Sequence, residues 1–135
     1  MTVTDVGALT LGTLSLGGGL TVISTGALDL GKGAIGGALL ATSNDGAISQ
    51  TTGGLTVTGT SGINAGDNLI TLDDVTNNFI GAVSLTTTTS NTNAVAITDG
   101  VDDLTLGTLS LVGDLTVISD GTGAVSYTTL HLPAD

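Results

Sequence analysis

Runs of three to five alternating apolar and polar residues, each closed by Gly, Asp or Asn, fill nearly the whole chain. Leu9-Thr10-Leu11 stops at Gly12, Leu14-Ser15-Leu16 stops at three glycines, and Leu20-Thr21-Val22-Ile23 follows. Strict alternation places Leu9 and Leu11 on one face and Thr10 on the other, the pattern of a half-buried strand. Glycine supplies the backbone freedom that a tight corner needs. Apolar spacing at i, i+3, i+4 is nowhere sustained, so the pattern predicts an all-β chain.

Residues 9–26 read LTLGTLSLGGGLTVISTG, and residues 104–121 read LTLGTLSLVGDLTVISDG, with three differences in eighteen positions and an offset of 95. Self-similarity at a fixed period among such short runs predicts a solenoid. Dividing 95 by five suggests coils of 19 residues, and the strings at Leu20 and Leu39 recur at that spacing. The expected architecture is a single-stranded parallel β-helix (β-solenoid) of about six coils over residues 1–123. Residues 124–135 follow as an irregular tail or cap. Leu9, Leu11, Leu14, Leu16, Leu20 and Val22 should point inward, and Leu104, Leu106, Leu109, Leu111, Leu115 and Val117 should occupy equivalent places about five coils later. Turn pairs suited to hairpins are few: Asp45-Gly46, Asp99-Gly100 and Asp120-Gly121.

Composition sharpens this picture. The 135 residues include 22 Gly, one Pro, no Cys and no Trp, and 1% are aromatic against 40% apolar. A core with so few rings must be built from stacked Leu, Val, Ile and Ala. All twelve acidic residues are Asp, which suits turns, and Lys32 is the only basic residue, giving a net charge of −11. Such a chain has nothing with which to neutralise phosphates, so nucleic acid is excluded as a partner. Anionic membrane surfaces are disfavoured, and no apolar run is long enough to span a bilayer. No thiolate metal site or disulfide is available.

The strings ALTLGTLSL, GALDLG, ATSNDGAISQTTGGLTVTGTS and INAGDNLITL resemble the repeat tracts of filamentous-haemagglutinin-like adhesins and autotransporter passengers, over about residues 4–123. That resemblance implies a right-handed β-helix in a secreted bacterial fibre at the cell surface or outside the cell. Residues 125–135, VSYTTLHLPAD, resemble the translated read-through of a sequencing adapter. No functional claim therefore rests on His131.

Three chemistries have candidate residues in the chain. Inverting hydrolysis needs converging carboxylates, and the candidates are Asp73-Asp74 and Asp102-Asp103, with Asn91-Thr92-Asn93 nearby. Neighbours within a strand point to opposite faces, so an Asp-Asp step alone cannot converge. Calcium wants six to eight oxygens. Asp67-Asn68 with Asp73-Asp74, and Asp99 with Asp102-Asp103, would offer a loose site only if adjacent coils aligned them. Thr ladders stacked on a flat face would match ice, yet the steps Thr2-Thr4 and Thr56-Thr58 do not fall at coil spacing, and the run from Thr86 to Thr89 alternates faces. Asp as a corner residue and Thr as a solvated strand residue account for all of them. The expectation is a structural, non-catalytic segment of an adhesin-like fibre, with no catalytic, cofactor or metal residue. Its partners would be neighbouring coils of a longer fibre or other copies met end to end. A carbohydrate-active β-helix enzyme and an ice-binding solenoid are the alternatives.

Overall fold

The chain coils through strand after strand without a hairpin. In the first coil, β1 (Thr2–Asp5), β2 (Leu9–Thr10) and β3 (Thr13–Leu16) lie on three faces. The second coil repeats them as β4 (Leu20–Ser24), β5 (Leu28–Asp29) and β6 (Lys32–Ile35). The third has β7 (Leu39–Ser43), β8 (Ile48–Ser49) and β9 (Leu55–Val57). The fourth has β10 (Ser61–Asn64), β11 (Ile70–Leu72) and β12 (Asn78–Phe79). Two strands are then found in each later coil: β13 (Val83–Thr86) with β14 (Val95–Asp99), and β15 (Leu104–Ser110) with β16 (Leu115–Ser119). β17 (Val125–His131) follows. This computed structural model describes residues 1–88, 94–120 and 124–131, the last five by backbone alone.

Every strand pairs in parallel with its counterpart one coil away. Sheet A runs β1-β4-β7-β10-β13-β15-β17, sheet B runs β2-β5-β8-β11-β14-β16, and sheet C runs β3-β6-β9-β12. The fold is thus an all-β solenoid of about six turns, and the described residues contain no helix. Six steps at the strand spacing of ~4.8 Å make a stack roughly 30 Å tall. Residues 125–131, expected as an irregular tail or cap, pair with β15 from Leu104↔Val125 to Ser110↔His131.

Alternation places one apolar column behind another. Leu20, Leu39, Ser61, Val83 and Leu106 are register partners in sheet A. Leu9, Leu28, Ile48, Ile70, Val95 and Leu115 are partners in sheet B. Sheet C contributes Leu16, Ile35, Val57 and Phe79. Most of these are fully buried, while Leu9, Leu11, Leu14, Leu16, Leu115 and Val117 pack partly buried against the same core. Each fully buried Leu, Ile or Val is worth about 1.5–3 kcal/mol relative to exposure. At the corner between sheets B and C the chain turns through Gly31 at φ 70°, and Gly33, inside β6, has φ 113°, a region that only glycine enters freely. A Cβ on Gly31 would also run into the Gly12 carbonyl of the coil before it.

The inward positions follow the alternation, but the two copies of the eighteen-residue string are not equivalent. Coils measure 19 residues from Leu20 to Leu39, then 22 to Ser61, 22 to Val83 and 23 to Leu106. The offset of 95 is therefore not five coils. Leu115 stands over the column of Leu9, whereas its sequence counterpart Leu20 lies in sheet A. In the first copy LTLGTLSL breaks at Gly12 into β2 and β3; in the second it runs on as the single strand β15. Both solutions correct the same parity fault, since Leu9 and Leu11 are odd in step and Leu14 and Leu16 even. A corner does it once. A bulge does it the second time, where the register slips between Val83↔Leu106 and Leu85↔Leu109. The Thr108 N–H freed by that bulge donates to Ser84 Oγ at 3.0 Å.

Ser61 is the one hydroxyl among the column residues Leu20, Leu39, Ser61, Val83 and Leu106, and its buried Oγ has no hydrogen-bond partner. Ser61→Ala should stabilise the fold by about 1 kcal/mol, the lower end of the cost of an unmet buried polar group. A urea series should show its midpoint rising; an unchanged or lower midpoint would mean that the hydroxyl is satisfied in solution.

Candidate functional site: a polar corner between sheets B and C

Polar side chains with buried partners gather along one edge of the coil, where the chain passes from sheet B to sheet C. In the second coil Asp29 Oδ1 accepts the Gly31 N–H at 2.8 Å, closing the turn on itself. Thr51 Oγ, one coil on, donates to the same carboxylate at 3.2 Å. In the fourth coil Asp74 Oδ2 accepts the Gly53 N–H of the coil before it at 2.8 Å, and its Oδ1 accepts both the N–H and the hydroxyl of Thr76. The Thr76 hydroxyl, followed by the Gly53 and Thr76 amides, holds the Asp74 carboxyl below the usual aspartate range.

Asn77 is fully buried and joins three coils. Its Oδ1 accepts the Leu55 N–H and one Gln50 Nε2 hydrogen, both at 2.8 Å. Its Nδ2 donates to Gln50 Oε1 at 2.8 Å, to the Leu72 carbonyl at 3.1 Å and to the Thr98 carbonyl at 3.2 Å. Asp99 is equally buried. Its Oδ2 accepts the Phe79 N–H at 2.8 Å, and its Oδ1 accepts the Val101 and Asp102 amides at 3.1 and 3.3 Å.

The placement explains the chemistry. Between coils, backbone amides of one coil donate to carbonyls of the next, as Gly33 N does to Gly54 O at 2.9 Å. At Leu55 that carbonyl is replaced by Asn77 Oδ1. At Phe79, in the last strand of sheet C, it is replaced by Asp99 Oδ2. Only residues 100–103 separate β14 from β15, too few to add another strand to sheet C. A carboxylate therefore closes the edge of a sheet that stops inside the stack.

The residues singled out from the sequence fare differently. Asp73, Asp102 and Asp103 are exposed, while Asp74 is half-buried and occupied by backbone donors. Asp103 Oδ1 accepts the Ala124 N–H at 3.3 Å. Asp67 is exposed, and Asn68 Nδ2 reaches the Ala65 carbonyl at 3.4 Å. Asp99, grouped with Asp102-Asp103 as possible cation ligands, is instead spent on three amides. Among the described residues no three Asp or His side chains gather as a metal site would require. Thr56 pairs with Asn78 and Ala34 in sheet C. Thr2 pairs with Thr21 in sheet A, but Thr4 pairs with Ile23, so the Thr2-Thr4 step is not repeated in the next coil. Asn91, Thr92, Asn93, Thr89, Gly121 and the His131 side chain lie outside the described residues. The pairing of Gln50 with Asn77 has only a faint sequence cue, an isolated Gln at one corner and an Asn at the corner of the next coil.

A family model described as repeats of unknown function (DUF5649) matches residues 21–86, a little under half of the chain. The match runs from β4 through β13 and takes in three of the four strands of sheet C, β6, β9 and β12. No curated protein and no solved structure matches the chain.

Two outcomes follow from this corner. Asp99→Ala leaves the buried Phe79 amide unmet and should cost about 1–3 kcal/mol in a urea titration, whereas Asp102→Asn should stay within about 0.5 kcal/mol of the parent. Equal effects of the two changes would contradict the assignment. For Asp74 the lowered carboxyl adds stability that is present above the unfolded-state value of about 3.9 and is lost as pH falls through the lower folded value. Asp74→Asn should therefore flatten the decline of stability below about pH 4, as read by melting curves across an acid series.

Proposed function

We propose that this chain is a structural, non-catalytic segment of a secreted bacterial adhesin-like fibre, a rigid shaft that holds other regions away from a cell. The observation that carries the reading is the use made of the polar corner. The Asn77 amide and the Asp99 carboxylate are spent on neighbouring backbone and on Gln50, so the edge most crowded with Asp and Asn works as a staple between coils. Behind it the aliphatic columns continue from coil to coil, and stability in such a stack accrues from each neighbouring interface. The adhesin-like setting, extracellular or at the bacterial surface, rests on the resemblance of the repeat strings. Its neighbours would be further coils of the same fibre or other copies meeting end to end.

Display on a bacterial surface with a fluorescent reporter at the far end tests the reading. Energy transfer to a membrane dye should report a reporter lifted by roughly 30 Å, about one strand spacing per coil. A reporter that lies no farther out than one on a flexible linker of few residues would refute the shaft. Hydrolysis of a soluble polysaccharide that is lost in Asp73→Asn or Asp102→Asn would replace it with a carbohydrate-active enzyme.

A further inference from the structure

The first coil leaves one side of its backbone and of its core uncovered. In β1 the Met1 amine donates to the Gly19 carbonyl, and the Met1 and Asp5 carbonyls accept the Thr21 and Thr25 amides of the second coil. Along a strand the amide and carbonyl of one residue point to one neighbour and those of the next residue to the other. Thr2 and Thr4 therefore turn theirs away from the second coil, out of the end of the stack. The Leu9 and Leu11 amides donate to Ala27 and Asp29, and the Leu16 carbonyl accepts from Gly36, so the same parity turns out Thr10 in β2 and Thr13 and Ser15 in β3. Inside, Val3, Leu9 and Leu16 are only partly buried, whereas their register partners one coil on, Val22, Leu28 and Ile35, are fully buried. The devices that usually blunt a sheet edge are missing here: residues 1–18 hold no Lys and no Pro, and Asp5 is the only charged side chain before Asp29.

We propose that this end of the stack docks onto the same end of a second copy, across a two-fold axis through the middle of sheet A. β1 then runs antiparallel to β1 of the other copy. Centred on Val3, that pairing sets Thr2 opposite Thr4 of the second copy and Thr4 opposite its Thr2. Each of these pairs exchanges two amide-to-carbonyl bonds, using the groups that face out of the end. The axis also exchanges the remaining two sides of the coil, so β2 of one copy meets β3 of the other. Val3, Leu9 and Leu16 are covered by the contact, as the second coil already covers them from its side.

A head-to-tail contact fits less well. Sheet A runs on to β17 and sheet B to β16, but sheet C stops at β12, so the opposite end of the stack offers β3 no strand. Charge points the same way. Six of the twelve Asp lie from Asp99 onward, and joining the first coils keeps those acidic ends farthest apart. A contact of like with like closes on itself, so association stops at two copies. The area is small, roughly 400 Å² per copy against the ~800 Å² of a stable interface, so the dimer is weak and governed by concentration. This inference rests on the part of the proposed function in which copies meet end to end, and it fixes which ends meet; the shaft itself does not depend on it.

Sedimentation of the purified chain over a concentration series tests the contact. A monomer–dimer equilibrium is expected, tightened by added salt as the charge of −11 on each copy is screened. Thr2→Pro removes an outward amide at the first residue of an edge strand, a place where proline is tolerated. It should raise the dissociation constant at least tenfold while circular dichroism melting shows the fold retained; Thr4→Pro serves if that variant fails to fold. The chain has no Cys, so one engineered thiol carries a pyrene label. Label at Thr4→Cys should give excimer emission on dimerisation, and label at Thr116→Cys, on the outer side of β16, should give none. A chain that stays monomeric at every concentration and salt overturns the dimer and leaves the reporter-height test of the shaft untouched. Polymers that keep growing, or energy transfer between labels at Thr4→Cys and Thr116→Cys on different copies, would overturn it in favour of head-to-tail stacking.

Discussion

Hydrogen bonding along the stack is the constraint on which everything else in this structure depends. Each coil presents a row of amides to the next, and those amides are buried with the aliphatic columns behind them. A buried donor without an acceptor costs more than most single side-chain contacts contribute. The coil therefore tolerates changes in length only where something replaces the missing carbonyl. Asn77 does so for Leu55, Asp99 for Phe79, and Ser84 for Thr108. These three side chains mark the places where the path departs from simple repetition: a lengthened corner, a terminated sheet and a bulge.

The same logic explains where charge is found. Asp is absent from the outer columns of sheet A and concentrated at corners, where its short side chain meets amides that the turn leaves unpaired. With a net charge of −11 the chain repels itself, yet much of that charge is spread around the edges and not within a face. An edge that looks like a cation site in sequence is thus better understood as a set of acceptors already spoken for. The outer positions of sheet A from Thr2 to Ser84 and from Thr4 to Thr86 are left without charge.

How far the sequence discloses this depends on the length scale. Alternation within a strand is local, so the inward direction of Leu20, Val22, Leu104 and Leu106 could be read directly. Registry between coils is not local. It depends on how many residues each corner consumes, and corners of Gly, Asp, Asn and Thr absorb one to four extra residues without any change in the apolar pattern. That is why 95 residues looked like five equal coils and were not. Burial of Asp99 was likewise hidden, because its role depends on sheet C ending one coil earlier. Asp73-Asp74 and Asp102-Asp103 look alike as dipeptides, yet Asp74 meets the Gly53 amide of the preceding coil across the B–C corner and Asp103 the Ala124 amide of the following one. Sequence spacing carries no trace of either neighbour.

The displaced copies of the eighteen-residue string bear on how such a chain can grow. Thr10 lies on sheet B and its counterpart Thr105 on sheet A; Thr21 lies on sheet A and its counterpart Thr116 on sheet B. Duplicating the genetic unit therefore does not duplicate the surface. Each added copy would arrive rotated about the long axis relative to the last, so a chemical trait confined to one side in a single unit would wind around a longer filament as a helical stripe. A lineage that needed one continuous face would have to lose or gain about ten residues per unit to bring its copies back into phase.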